Sequence, residues 1–144
     1  MGFLSDLFKK GEEPLLTFTD SKLGLMKWSE EDESWIGECN GIKFSLAYER
    51  KSSVPVKELV VYATEFLGDQ KSVNASLEQA KREAQNEYSK SYKGEIESLR
   101  IGVVHFYRHK DKRRIIADLM GGENFRSWRI EYNDKNCEGI GFDS

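Results

Sequence analysis

Ile42-Lys43-Phe44-Ser45-Leu46-Ala47-Tyr48-Glu49 decides the fold. Ile42, Phe44, Leu46 and Tyr48 are apolar, and Lys43, Ser45 and Glu49 are polar. Successive side chains of a strand point to opposite faces, so the stretch reads as a half-buried strand with one face committed to a core. Asn40-Gly41 precedes it. That pair between two strand-like runs predicts a tight primed hairpin turn, whose central residues need positive φ.

Working backwards, Ser34 to Cys39 is the strand on the other side of that turn. Ser29-Glu30-Glu31-Asp32-Glu33 is an acidic loop, a solvated hairpin tip because its carboxylates repel one another. It lacks the alternating oxygen ligands and the glycine of a calcium loop. Gly24 to Trp28 and Leu15 to Thr19 are further strands, joined by the turn Asp20-Ser21-Lys22. Met1 to Pro14 stands apart as an amphipathic segment. Phe3, Leu4, Leu7 and Phe8 fall on one side of a helix, which predicts a terminal helix packed on the domain or frayed, or else a weak membrane-surface or partner-docking helix. Asp6 occupies the position where a myristoylation signal needs Ser or Thr.

Working forwards, the period changes after Glu49. Pro55 suits a first helical turn. Val56, Leu59, Val60, Ala63, Phe66 and Leu67 recur at helical spacing, and Gly68 is placed as the C-terminal stop. A second helix is expected to start at a capping box over Ser76 to Gln79, to bury Leu77, Ala80, Ala84 and Tyr88, and to end near Ser91 to Gly94. Residues 99 to 108 carry apolar side chains in both alternating sets, which predicts a central strand covered on both sides for part of its length. Ile115 to Met120, then Trp128, Ile130 and Tyr132 alternating with polar residues, then Cys137 to Phe142 complete the strands. Strands, two helices, strands is the order of an α+β fold. The expected architecture is a mainly antiparallel sheet of N-terminal and C-terminal meanders with two helices packed on one face.

The 144 residues fit one domain, here residues 15–144. Seventeen aromatics (Phe 8, Tyr 6, Trp 3) are enough to build a core and argue against disorder. A net charge of −3 gives no global basic field for nucleic acid. No apolar run approaches the roughly 20 residues of a membrane span. Cys39 and Cys137 have no metal-type spacing and read as free thiols in a reducing cytoplasm, although a disulfide between neighbouring strands stays open. No metal site and no cofactor is expected.

The sharpest candidate site is the basic turn from Arg108 to Arg114. Arg108, His109, Lys110, Lys112, Arg113 and Arg114 could hold the phosphates of nucleic acid or another anionic ligand. Charged residues on an exposed hairpin tip are also ordinary. Phe106 and Tyr107 offer little of the aromatic interleaving that single-strand binders use. His105 and His109 are too far apart along a strand to share an ion, so His105 reads as a structural histidine at the sheet surface. Asp20, Glu38, Asp118 and Asp143 could meet only through the fold. Neither a phosphate loop nor a hydrolase or dinucleotide motif is present. Trp28, Trp35 and Trp128 sit at strand positions and read as core, with an exposed interface anchor as the alternative.

Asp20-Ser21-Lys22-Leu23-Gly24-Leu25, Trp35-Ile36-Gly37, Trp128-Arg129-Ile130-Glu131-Tyr132 and Gly139-Ile140-Gly141-Phe142 give the chain a likeness. In this order it resembles a group of small bacterial domains of unknown function, some of whose relatives are immunity-like. The resemblance implies an α+β fold in a bacterial cytoplasm and assigns no activity. Three functions follow as expectations. First comes a non-catalytic protein-binding or accessory module whose partner is another protein. Next comes an anion or nucleic-acid binder working through residues 108–114. Last is an enzyme built from distant acids and His105.

Overall fold

The computed structural model describes residues 16–49, 52–88, 90–121 and 127–143. The amphipathic reading of residues 1–14 lies outside them. Among the described residues eight strands form one sheet in chain order: β1 (Thr17–Asp20), β2 (Gly24–Ser29), β3 (Ser34–Cys39), β4 (Ile42–Ala47), β5 (Arg100–His109), β6 (Lys112–Met120), β7 (Ser127–Asn133) and β8 (Asn136–Asp143). Every neighbouring pair is antiparallel except β4 and β5, which run parallel. A parallel pair needs a crossover, and the helices supply it. They are α1 (Lys57–Gly68), α2 (Gln70–Glu87) and, after a 3-10 turn at Lys90–Tyr92, the short α3 (Lys93–Glu97). The fold is therefore α+β with a mostly antiparallel sheet.

The hairpins follow local chemistry. Asn40 and Gly41 both take positive φ, 53° and 79°, as the primed turn requires. β7 alternates exposed and buried residues along its whole length, with Trp128, Ile130 and Tyr132 inside. Tyr48 departs from the expected pattern. β4 ends at Ala47, and Tyr48, whose N–H still reaches the Glu33 carbonyl at 3.1 Å, is 45% exposed.

Strand register assembles the core in rows. One runs across all eight strands as Phe18, Met26, Gly37, Phe44, Val104, Ala117, Ile130 and Ile140. Gly37 is required there, since a Cβ would sit 2.7 Å from the Phe44 ring. The parallel row is Trp28, Trp35, Leu46, Phe106, Ile115, Tyr132 and Cys137. On this side α1 sets Tyr62 and Phe66 edge-on against Phe106, at 5.3 and 5.7 Å between ring centroids. Trp35 and Trp128 are buried as expected, and Trp128 donates its indole N–H to Glu95 Oε2 at 2.7 Å. Trp28 is only half-buried, between Trp35 and Tyr48.

The helices correct the sequence reading at their ends. α1 ends at Gly68 as expected, although Gly68 takes no positive φ. Asp69 closes α1 and opens α2 at once, its carboxylate accepting from the Ser72 N–H at 3.2 Å. The Ser72 bond holds the Asp69 carboxyl below its ordinary pKa. The second helix thus starts six residues before the expected box, at Gln70 rather than Ser76. Ser76 lies inside it and donates to the Val73 carbonyl. The stripe expected from residues 77 to 88 is otherwise buried as Leu77, Ala80 and Ala84, with Val73 and Lys81 added.

Tyr132 is fully buried, with its hydroxyl 3.2 Å from Ser76 Oγ. Burial pushes its pKa up to about 12, against a smaller opposing effect of the Ser76 hydrogen bond. Burial and the nearby Asp134 carboxylate raise Tyr62 as well. An unfolded tyrosine ionises near 10, so the unfolded chain loses its proton first. Stability is full below about pH 10 and falls through the interval up to about 12. The Tyr132 share of that loss is about 2–3 kcal/mol. Urea unfolding across this interval is expected to show the decline, and Tyr132→Phe to flatten it.

Candidate functional site

The pleat that buries the core rows sends the intervening residues to the second face. Lys27, Ile36, Ser45, His105, Ile116 and Glu131 form one row there, every one at least partly exposed. Glu38, Lys43, Val103, Asp118 and Arg129 form the next. β5 is therefore buried on one side at Val104 and Phe106 and half-exposed on the other at Val103, His105 and Tyr107. The expected double cover does not occur. Its apolar residues in the second set are a half-exposed strip in place of a second core.

At the centre of this face three strands bring three polar side chains together. Ser45 Oγ on β4 lies 2.7 Å from His105 Nδ1 on β5, and His105 Nε2 lies 2.9 Å from Asp118 Oδ2 on β6. A carboxylate only accepts, so Nε2 carries the proton and Nδ1 accepts from the Ser45 hydroxyl. The three residues line up as serine, base and acid, and an open groove of about 440 Å³ along Ile36, Ser45, Val103, His105 and Tyr107 adjoins them.

Two features set this chain of hydrogen bonds apart from a nucleophilic triad. The Asp118 side chain is 58% exposed, so it competes with water in holding the imidazole. The backbone around Ser45 and His105 belongs to a sheet paired on both sides. Its N–H groups serve the ladder and are not aimed at a developing oxyanion. The network can fix side chains on an interaction face and relay a proton between Ser45 and Asp118.

The basic stretch takes a different form from its sequence. The turn is only Lys110 and Asp111, both at positive φ, and the other members lie on the strands. Arg108 donates from Nε to Glu49 Oε2 at 2.9 Å and pairs with the other carboxylate oxygen through Nη2. Arg113 meets Glu65 at 2.6 Å and Asp134 at 3.5 Å, and its guanidinium lies 4.9 Å from the centre of the Tyr62 ring. Arg114 meets Glu138 at 2.6 Å. His109, Lys110 and Lys112 remain at the exposed tip, around Asp111. Of the acids considered from sequence, Asp20, Glu38 and Asp118 fall on β1, β3 and β6 and do not converge, and the Asp143 side chain lies outside the description.

Cys39 and Cys137 are free thiols on β3 and β8, five strands apart in the sheet order. Burial raises the Cys137 thiol above its ordinary pKa, which keeps it protonated and weakly nucleophilic. Among the described residues no group of three or more His, Cys, Asp or Glu is placed to hold a metal ion, and no helix is long and apolar enough to cross a membrane.

Comparison with protein-family models, with curated proteins and with solved structures finds no match for this chain.

The sequence carried one signal for the central network. His105 stands in a strand whose two alternating sets are both apolar, so a polar residue there asks for a partner. Ser45 and Asp118 could not be named as those partners, because the contact depends on β4 pairing with β5 across the helical crossover.

Proposed function

We propose that this protein is a non-catalytic protein-binding module, with its two long helices packed on one face of the sheet and its other face presented to a partner protein. An accessory or immunity-like role in a bacterial cytoplasm is the setting this reading implies. The observation that carries it is the second face itself. Ile36 is 36% exposed and Leu25 51% on β3 and β2, Val103, Tyr107 and Ile116 are half-buried on β5 and β6, and charges of both signs lie around them. Apolar residues at the centre with a polar, charged rim is the anatomy of an interaction surface. The Ser45–His105–Asp118 chain fits the same reading, because it locks polar side chains before a partner arrives and lowers the entropy lost on binding.

Anion binding through residues 108–114 has narrower support, since Arg108, Arg113 and Arg114 already face carboxylates. The test compares Ile116→Arg with Lys112→Ala/Lys110→Ala as bait for stoichiometric partners. The Ile116→Arg variant is expected to lose its partner and the tip variant to keep it, with unchanged circular dichroism for both. The opposite pattern would move the function to the hairpin tip.

A further inference from the structure

We infer that the open face takes a second copy of this chain, docked face to face about a two-fold axis that runs along β5; this rests on the protein-binding reading above. A two-fold interface must be complementary to itself, because the same patch supplies both sides. One cross-strand row meets that condition. Glu38, Lys43, Val103, Asp118 and Arg129 stand side by side on β3 to β7, with signs minus, plus, neutral, minus, plus. The pattern is antisymmetric about Val103. Turning a copy over about β5 lays Lys43 of one protomer on Asp118 of its partner and Glu38 on Arg129, and symmetry makes each pairing occur twice.

The next row agrees at its centre. It reads Ile36, Ser45, His105, Ile116, Glu131, so His105 lies on the axis and Ser45 faces Ile116. Ile36 facing Glu131 is the pairing that contributes least. Val103, His105 and Tyr107 of β5 meet their own counterparts, which puts two largely apolar residues and the middle of the hydrogen-bonded network on the axis. A partner of uniform charge would match only half of these positions.

Size is adequate. Eight strands about 4.8 Å apart and roughly 20 Å long present on the order of 700 Å² per face. A standard interface needs about 800 Å² per partner, counted on side-chain surface that exceeds the flat projection. Two sheets packed in this way lie about 10 Å apart with strands within about 30° of each other, the aligned packing of sandwich folds.

Sedimentation velocity and light scattering on the full chain test the inference. At roughly 100 μM and low salt the wild type is expected at twice its mass of 16.6 kDa, shifting towards monomer as salt rises. Lys43→Glu and Asp118→Lys, each placing like charges together twice, are expected to weaken the dimer about tenfold or more. The double variant Lys43→Glu/Asp118→Lys is expected to recover it, because both pairings return with their signs exchanged. Both positions are exposed, and circular dichroism checks that every variant is folded. A wild type that stays monomeric, a dimer indifferent to both single changes, or a double variant that fails to recover would each overturn the self-association. The binding reading fails by a separate result, Ile116→Arg retaining every protein partner of the wild type, a second copy included.

Discussion

Phe106→Ala is expected to destabilise the protein by about 3–5 kcal/mol, a large part of the stability of a domain this size. Phe106 is fully buried on β5, the strand that joins the two meanders. Its ring is the edge-to-face partner of both Tyr62 and Phe66, so it is a central contact between α1 and the sheet, beside the Phe66–Tyr132 pair at 5.2 Å. Removing it costs the transfer energy of the ring and leaves a cavity between α1 and the sheet that neither layer can close without breaking register. Chemical unfolding is expected to show a lower midpoint with an unchanged slope. Phe106→Leu, which refills most of the volume, is expected to recover more than half of the loss.

Lys81 is the second site of large effect, although it is polar. It lies almost buried in α2, with Nζ 2.7 Å from the Glu97 carbonyl oxygen and 3.0 Å from the Leu99 carbonyl oxygen. Glu78 approaches Nζ at 3.4 Å. The ammonium therefore satisfies carbonyls at the end of α3, which helical hydrogen bonds leave open, and ties that end to the middle of α2. Lys81→Met keeps the apolar stem and removes the donors. It is expected to cost about 2–4 kcal/mol, because the buried Leu99 carbonyl loses this partner outright and the part-buried Glu97 carbonyl loses its charged donor. Lys81→Ala is expected to cost somewhat more. If Lys81→Met were neutral, packing of the stem and not hydrogen bonding would be what holds α3 in place.

Much of the sheet was legible because its signals are local. Asn40-Gly41 names its own turn, and the alternation of Trp128, Ile130 and Tyr132 names its own buried face. Helix boundaries were less legible. Ser76 to Gln79 has the spacing of a capping box, but Asp69 offers its carboxylate seven residues earlier, and the intervening turns contain nothing that stops a helix. Tyr62 escaped notice as a core residue because tyrosine is often only partly buried, and its hydroxyl needed a distant acceptor, the Asp134 carbonyl at 2.5 Å. α3 was absent from the sequence reading because five residues are too few to show a period.

The candidate site was the least legible part. The basic stretch stands out in one dimension, yet alternation along β5 and β6 sends Arg108 and Arg113 to one side and Arg114 to the other. Each of these arginines meets a carboxylate contributed by a different part of the chain. The open face has no continuous signature at all. Its residues are single polar or apolar positions drawn from six strands, and only the register between strands, above all the parallel pairing of β4 with β5, collects them.

The chain holds two histidines, and they separate the two candidate surfaces, since His105 lies at the centre of the open face and His109 at the end of the basic hairpin. Diethylpyrocarbonate modification of each, followed by mass spectrometry as the protein is concentrated or its partner is added, tests directly which surface is used. His105 is expected to become protected while His109 reacts as before. Protection of His109 with His105 unchanged would contradict it.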